Sequence, residues 1–414
     1  MYDLMHFEAD PEIMEICKEE FGIGFPVVKL RGKKVKIMEA RENLVKLMDH
    51  YRIKVKFDVY KRIPTFEGIK SSLGDDENLL VSQLKSLCGR HELPLRLVDH
   101  HLGTIAQSSP INPPLDWLKS LKREKQSNPI DDLVEALPVE NKEWVKVAFN
   151  RWFIQACAAA DTAENTPNIE ALPKYESVLV FIGQQGLNKT TFIRRILPRH
   201  LHSYFSDGLL LNLDNKDSRL SATANWLVEL GELDSTFRKS DISAMKAHLS
   251  KQTDEIRLPY AKSETRWKRR TCYMASVNDF KFLHDTTGNR RYFPVVARSK
   301  LAIPEELDIK ELWAYAWDQY INGAQWWLTP QEETLHLESL AAHESRPIAE
   351  LVMDCFNFDL DGRFNKLTSK QILDRIGMKS DVKANQMRLK DELTRLGIEK
   401  DNRLYRMPAS RDGI

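Results

Sequence analysis

Ser177-Val178-Leu179-Val180-Phe181-Ile182 runs directly into Gly183-Gln184-Gln185-Gly186-Leu187-Asn188-Lys189-Thr190-Thr191. The continuous apolar run reads as a strand buried on both faces, as in a parallel sheet. The residues after it keep the spacing G-x-x-x-x-G-K-[ST], with Asn188 standing at the second fixed glycine. In such a loop, backbone N–H groups surround phosphates, the lysine reaches the β- and γ-phosphates, and the hydroxyl serves Mg²⁺. Asn is the side-chain-bearing residue that best tolerates positive φ, which suits it to a glycine position. A helix expected over Thr190–Ile196, ending at Pro198, would put the phosphate at a helix N-terminus. Gly183–Thr191 is therefore the expected ATP-binding loop, with ATP and Mg²⁺ as ligands.

Downstream motifs supply the rest of a hydrolytic site. Asn225–Asp234 is an apolar strand ending in acids. An ATPase needs one acid for hydrated Mg²⁺ and another to orient or deprotonate the attacking water. Glu229 and Glu232 are the candidates. The residues do not divide the two roles between them, although Thr190 with Glu229 is the expected metal pair. The strand Thr271–Val277 ends at Asn278, which could hold the water or the γ-phosphate. Thr287-Gly288-Asn289-Arg290-Arg291 places two guanidiniums on a turn, where one could act as an arginine finger on a neighbouring subunit's nucleotide.

The 414 residues suggest two to four domains. Hydrophobic residues make up 42%, enough to bury a core. A formal charge of +1 says nothing about nucleic acid; only the distribution of charge can. Cys17, Cys88, Cys157, Cys272 and Cys355 are dispersed, which argues against a zinc cluster or a disulfide framework. With no signal-like start and no apolar stretch of about 18 residues, a soluble, cytoplasmic protein is expected, not a membrane one. The expected divisions are a small mixed N-terminal domain (1–108), a linker and helical lead-in (109–176), an α/β core (177–330), and a helical connector with a C-terminal module (331–414). The N-terminal reading is a helix over Pro11–Glu20, strand-like Val27–Ile37 and Ile53–Tyr60, and a helix over Arg41–His50 between them. Lys29–Arg62 carries twelve Lys/Arg against four Asp/Glu, so one face of that domain should be basic. Asn141–Ala160 suits an amphipathic helix, and Glu311–Trp327 a second one rich in Trp and Tyr.

GQQGLNKTTF, WLVELGELD with the following Arg238 to Asp241, Arg257-Leu258-Pro259-Tyr260, ASVND and TGNRRYFPV occur in an order that resembles the virulence-associated protein E family. These are ATPases of phages and mobile elements, similar in turn to superfamily III helicases. The resemblance covers about Pro113 to Trp327. It implies an α/β, AAA+-like P-loop NTPase core, a homo-oligomer (a hexameric ring is expected), and a role in replication of a phage or mobile element. The family usually has Gly where Asn188 stands, which bears on affinity and turnover.

Ile256–Arg270 holds six basic residues and one acid, interleaved with Tyr260 and Trp267. Related helicases carry a DNA-contacting hairpin there, so Lys262, Arg266, Trp267, Lys268 and Arg269 are the expected contacts to single-stranded DNA. Leu367–Pro408 reads as helix, turn at Gly377, longer helix, stop at Gly397 and a short hairpin, which is a winged-helix-like pattern. The leading expectation is an ATP-dependent DNA helicase or translocase. The alternative is a nucleotide-dependent oligomeric switch or regulator, in replication initiation or defence, that does not unwind. A small-molecule kinase fits the motif set least well.

Overall fold

The computed structural model describes residues 11–31, 34–69, 77–124, 126–162, 173–231, 239–256, 264–278, 289–341, 348–358, 364–378, 380, 383–398, 400–402 and 404–408. The N-terminal part comprises α1 (Pro11–Phe21), a two-stranded ribbon of β1 (Val28–Arg31) and β2 (Lys34–Ile37), α2 (Arg41–His50), β3 (Lys54–Asp58), β4 (Ile63–Glu67), α3 (Glu77–Arg90) and α4 (Arg96–Gln107). The proline-rich stretch expected to end this part carries β5 (Pro110–Ile111), which pairs parallel with β3 before the chain leaves the N-terminal sheet.

Three asparagines then cap three helices, each side chain accepting backbone N–H bonds left over at a first turn. Asn112 caps α5 (Pro113–Ser120), Asn128 caps α6 (Pro129–Ala136), and Asn141 caps α7 (Lys142–Ala160). A proline follows the cap in α5 and α6, where its missing N–H costs nothing. The sequence reads α7 as amphipathic, yet it is buried on nearly every side from Trp144 to Ala160. The reason is its position: it packs against the large sheet on one side and other helices on the other.

That sheet has five strands, all parallel: β6 (Val178–Ile182), β7 (Phe205–Leu209), β8 (Leu227–Leu230), β11 (Cys272–Val277) and β12 (Tyr292–Val296). Their spatial order is β12-β6-β11-β8-β7. Side chains alternate across a strand, so each strand feeds two cores. From β6, Leu179 and Phe181 enter the core shared with α7, while Val178, Val180 and Ile182 enter the core on the opposite face. Trp144, Trp152, Trp226 and Trp313 are fully buried on the α7 side. Each indole N–H donates to a main-chain carbonyl (Pro294, Tyr273, Ala156 and Ile196), so no polar atom of these rings is left unpaired. Burying one such ring is worth roughly 2–3 kcal/mol, and these bonds also fix its position.

The Trp- and Tyr-rich helix spans Ile309–Ile321, shorter than the run to Trp327 read from sequence, because Gly323 at φ 85° turns the chain. The C-terminal module joins helices Ile348–Cys355, Ser369–Arg375 and Lys383–Arg395 to an antiparallel sheet of Phe364–Thr368, Leu404–Pro408 and Lys400–Asp401. Gly377 and Gly397, at φ 74° and 71°, close the last two helices as their sequence positions suggest. Among the described residues no helix is long and apolar enough to cross a membrane.

Candidate active site

β6 ends at Ile182, and the loop that follows turns into α8 (Lys189–Arg195). Gly183 has little room for a side chain: a Cβ there would lie 2.9 Å from Leu187 Cδ1 and 3.1 Å from the Ala297 carbonyl oxygen. Asn188 adopts φ 59°, the left-handed conformation that the glycine spacing requires, and its side chain is exposed. Lys189 is buried along the loop, its Nζ donating to the carbonyls of Gly183 (2.6 Å) and Gln184 (3.0 Å) and to Asn278 Oδ1 (3.1 Å).

Register explains why Asn278 is there. Val277 pairs with Ile182, so the residues just beyond these partners, Asn278 and Gly183, emerge side by side. β8 lies on the other side of β11, with Glu229 opposite Met274. Thr190 Oγ1 donates to Glu229 Oε1 at 2.8 Å. Three segments, with Lys189 and Asn278 89 residues apart, thus meet at the carboxyl ends of three adjacent parallel strands.

Glu229 is fully buried. Burial pushes its carboxyl above the usual carboxylate range, while the hydroxyls of Thr190 and Ser276 work the other way. Among the described residues its Oε2 has no hydrogen-bond partner. A buried carboxylate oxygen left open beside a hydroxyl fits a hard cation such as Mg²⁺, which takes oxygen ligands. Ser276 was missed by motif reading. The signal was its position two residues before Asn278, on the same side of the strand. Glu232 and Lys262 lie outside the described residues, as do 279–288.

The two arginines expected to act on phosphate divide. Arg291 turns inward, its Nε donating to Glu176 Oε2 (3.1 Å) and Ser250 Oγ (2.9 Å), so it ties the start of β12 to neighbouring segments and is not a free finger. Arg290 is exposed and borders a cavity of about 770 Å³, with Lys174, Trp326, Trp327 and Leu337 among its lining. This cavity lies at the end of the sheet opposite the Gly183–Thr191 loop, because Tyr292 pairs with Val178 at the start of β6.

The basic stretch does form a hairpin, β9 (Thr253–Ile256) with β10 (Thr265–Lys268). Two of its expected DNA contacts are nevertheless structural. Arg269 is 2% exposed and makes a bidentate pair with Asp254, including a 2.8 Å bond from Nε. Removing it from that pair would leave Asp254 charged and buried, which opposes any reach toward DNA. Trp267 stacks on Phe57 of β3, centroids 5.6 Å apart, with the Arg62 guanidinium over its ring. Aromatic interleaving here reflects a joint between hairpin and N-terminal sheet. Arg266 remains exposed and pairs with Glu255 across the hairpin; Lys268 is half-buried.

The profile of the virulence-associated protein E-like domain matches residues 118–345, a span holding the loop, Glu229, Asn278 and both arginines. No curated protein matches the sequence. Among solved structures, three apo structures of the NrS-1 C-terminal region superpose with TM-scores of 0.45, 0.43 and 0.42 at 13–14% identity, each covering 89% of this chain and 98% of that one. Because the domain profile spans more than half of the chain, the protein belongs to the virulence-associated protein E-like family.

Proposed function

We propose that the chain is an ATP- and Mg²⁺-dependent P-loop ATPase with an AAA+-like core, which assembles from several copies and translocates on or unwinds single-stranded DNA during replication of a phage or mobile element. The observation that carries this reading is the meeting of Lys189, Thr190, Glu229 and Asn278 at one end of the sheet. The strand order, with the loop strand between β12 and β11, supports the same core. The C-terminal helices and three-stranded sheet support a winged-helix-like module.

Each residue has a defined task. Loop N–H groups receive phosphate oxygens, and Lys189 exchanges its bonds to the Gly183 and Gln184 carbonyls for bonds to phosphate. Thr190 and Glu229 would hold Mg²⁺, which when bound offsets charge on the β- and γ-phosphates. Asn278, already bonded to Lys189, would orient the γ-phosphate or the attacking water. Arg290 sits in the turn before β12, whose five residues of parallel strand, about 17 Å, separate it from the loop level, so it would serve a neighbouring copy's phosphate. Trp327 and Leu337, 57% and 64% exposed beside it, give an apolar rim for that neighbour.

The switch reading draws on Asn188, whose exposed amide stands where the family has Gly. A fork substrate separates the two: ATP-driven strand displacement by the parent protein, absent in Lys189→Ala, supports the motor. ATP hydrolysis without displacement supports the switch.

A further inference from the structure

We infer that the β1–β2 ribbon of the N-terminal part is a docking element for the phosphate backbone of double-stranded DNA, separate from the ATPase site and independent of the function proposed above. Its two strands, Val28–Arg31 and Lys34–Ile37, carry four cations (Lys29, Arg31, Lys34 and Lys36) and no acid. The strands are in a register that sets Lys29 directly opposite Lys36, and in the next such step Arg31 opposite Lys34. Like charges directly opposite one another destabilise a ribbon. Lys29 and Lys36 are exposed, and among the described residues neither forms an ion pair. Glu39, the nearest acid in sequence, is committed to Arg96 and His100.

The ribbon pairs with no other described strand, yet its base is held firmly. Val35 and Ile37 are buried in the N-terminal core. The fully buried Asn43 amide accepts from Val27 N–H (3.0 Å) and donates to the carbonyls of Val27 (2.7 Å) and Met38 (2.8 Å). An isolated two-stranded hairpin is marginal in water, so this clamp is what allows a self-repelling ribbon to persist. A local violation of charge pairing held by a rigid anchor is the pattern of a binding element.

Its chemistry selects the partner. Lysines and arginine bind phosphate, and a two-stranded ribbon has the width of the major groove. Single-strand binding relies on aromatic side chains for stacking, and Val28–Ile37 has none. The test uses the full chain carrying Lys189→Ala and no nucleotide, so that it does not depend on ATP hydrolysis. Binding to a 20-base-pair duplex (about two helical turns) and to a single strand of equal length is followed by fluorescence anisotropy across a salt series. Lys29→Ala with Lys36→Ala should lower the duplex salt slope by about 1.8 and weaken duplex binding, with single-strand binding unchanged. Lys29→Arg with Lys36→Arg should keep both. An unchanged duplex slope in the alanine pair, an equal loss on both nucleic acids, or parent protein that binds anionic phosphatidylserine vesicles but no duplex would overturn the inference.

Discussion

Glu229 shows what a single residue can reveal about a site. Its carboxyl is buried, its pKa is raised by that burial, and one of its oxygens has no partner among the described residues. A raised folded pKa means the charged form costs stability once the pH exceeds the ordinary carboxylate value. Glu229→Gln is therefore expected to raise the denaturation midpoint of nucleotide-free protein at pH 7. With its metal-holding role weakened, hydrolysis should fall by about 100-fold or more while ATP still binds. A hydrolysis rate equal to the parent's would remove Glu229 from the site. Asn188 gives a second test. At φ 59° an Asn→Ala change should cost roughly 1 kcal/mol, whereas Asn→Gly should be tolerated and turn over at least as fast as the parent. Equal stability of the Ala and Gly variants would show that the loop does not depend on this conformation.

At the level of elements, strand register does most of the assembly. β11 delivers Asn278 next to Gly183 because Val277 is aligned with Ile182, and no spacing rule in the sequence gives that alignment. The turn before β12 separates its two arginines by side-chain direction. Arg291→Ala should lower stability by breaking the Glu176–Ser250 link and reduce hydrolysis only through that loss. Arg290→Ala should keep the parent's denaturation midpoint yet lose hydrolysis, and mixing it with Lys189→Ala should restore part of the turnover. No recovery at any mixing ratio would exclude a role across subunits. The hairpin β9–β10 carries the clearest lesson about reading charge runs. Its position was legible from sequence, but Arg269 and Trp267 pack inward because Asp254 and Phe57 lie across from them, and long-range partners leave no local signal.

For the whole molecule, the parallel sheet and its loop were readable because a continuous apolar strand followed by glycine-rich spacing admits few folds. The tail was readable from Gly377 and Gly397. The burial of α7 on nearly all sides, the joining of β5 to β3 and the short edge strand β7 were not, since each depends on what packs against it. The same packing makes the fold sensitive to acid. Burial, then the Arg269 charge, holds His248 down to about 3, and burial holds His336 down to about 4. Both folded values lie below that of an unfolded histidine, so stability is complete above about pH 6.5 and is lost as pH falls toward 4. Each should cost about 2 kcal/mol at pH 5, measurable as a drop in urea midpoint between pH 7 and pH 5. Asp254 adds to the loss in more acid solution: burial acts to raise its carboxyl, but Arg269 prevails and holds it below the ordinary range. A midpoint that stays constant from pH 7 to pH 5 would contradict the neutral, buried state of both rings.

The most direct measurement is the steady-state ATPase rate of the full chain in Mg²⁺, with and without single-stranded DNA, beside Lys189→Ala. Hydrolysis that rises on adding DNA and disappears in the variant is the expected result. A rate that Lys189→Ala leaves unchanged, or none under either condition, would contradict the ATPase assignment.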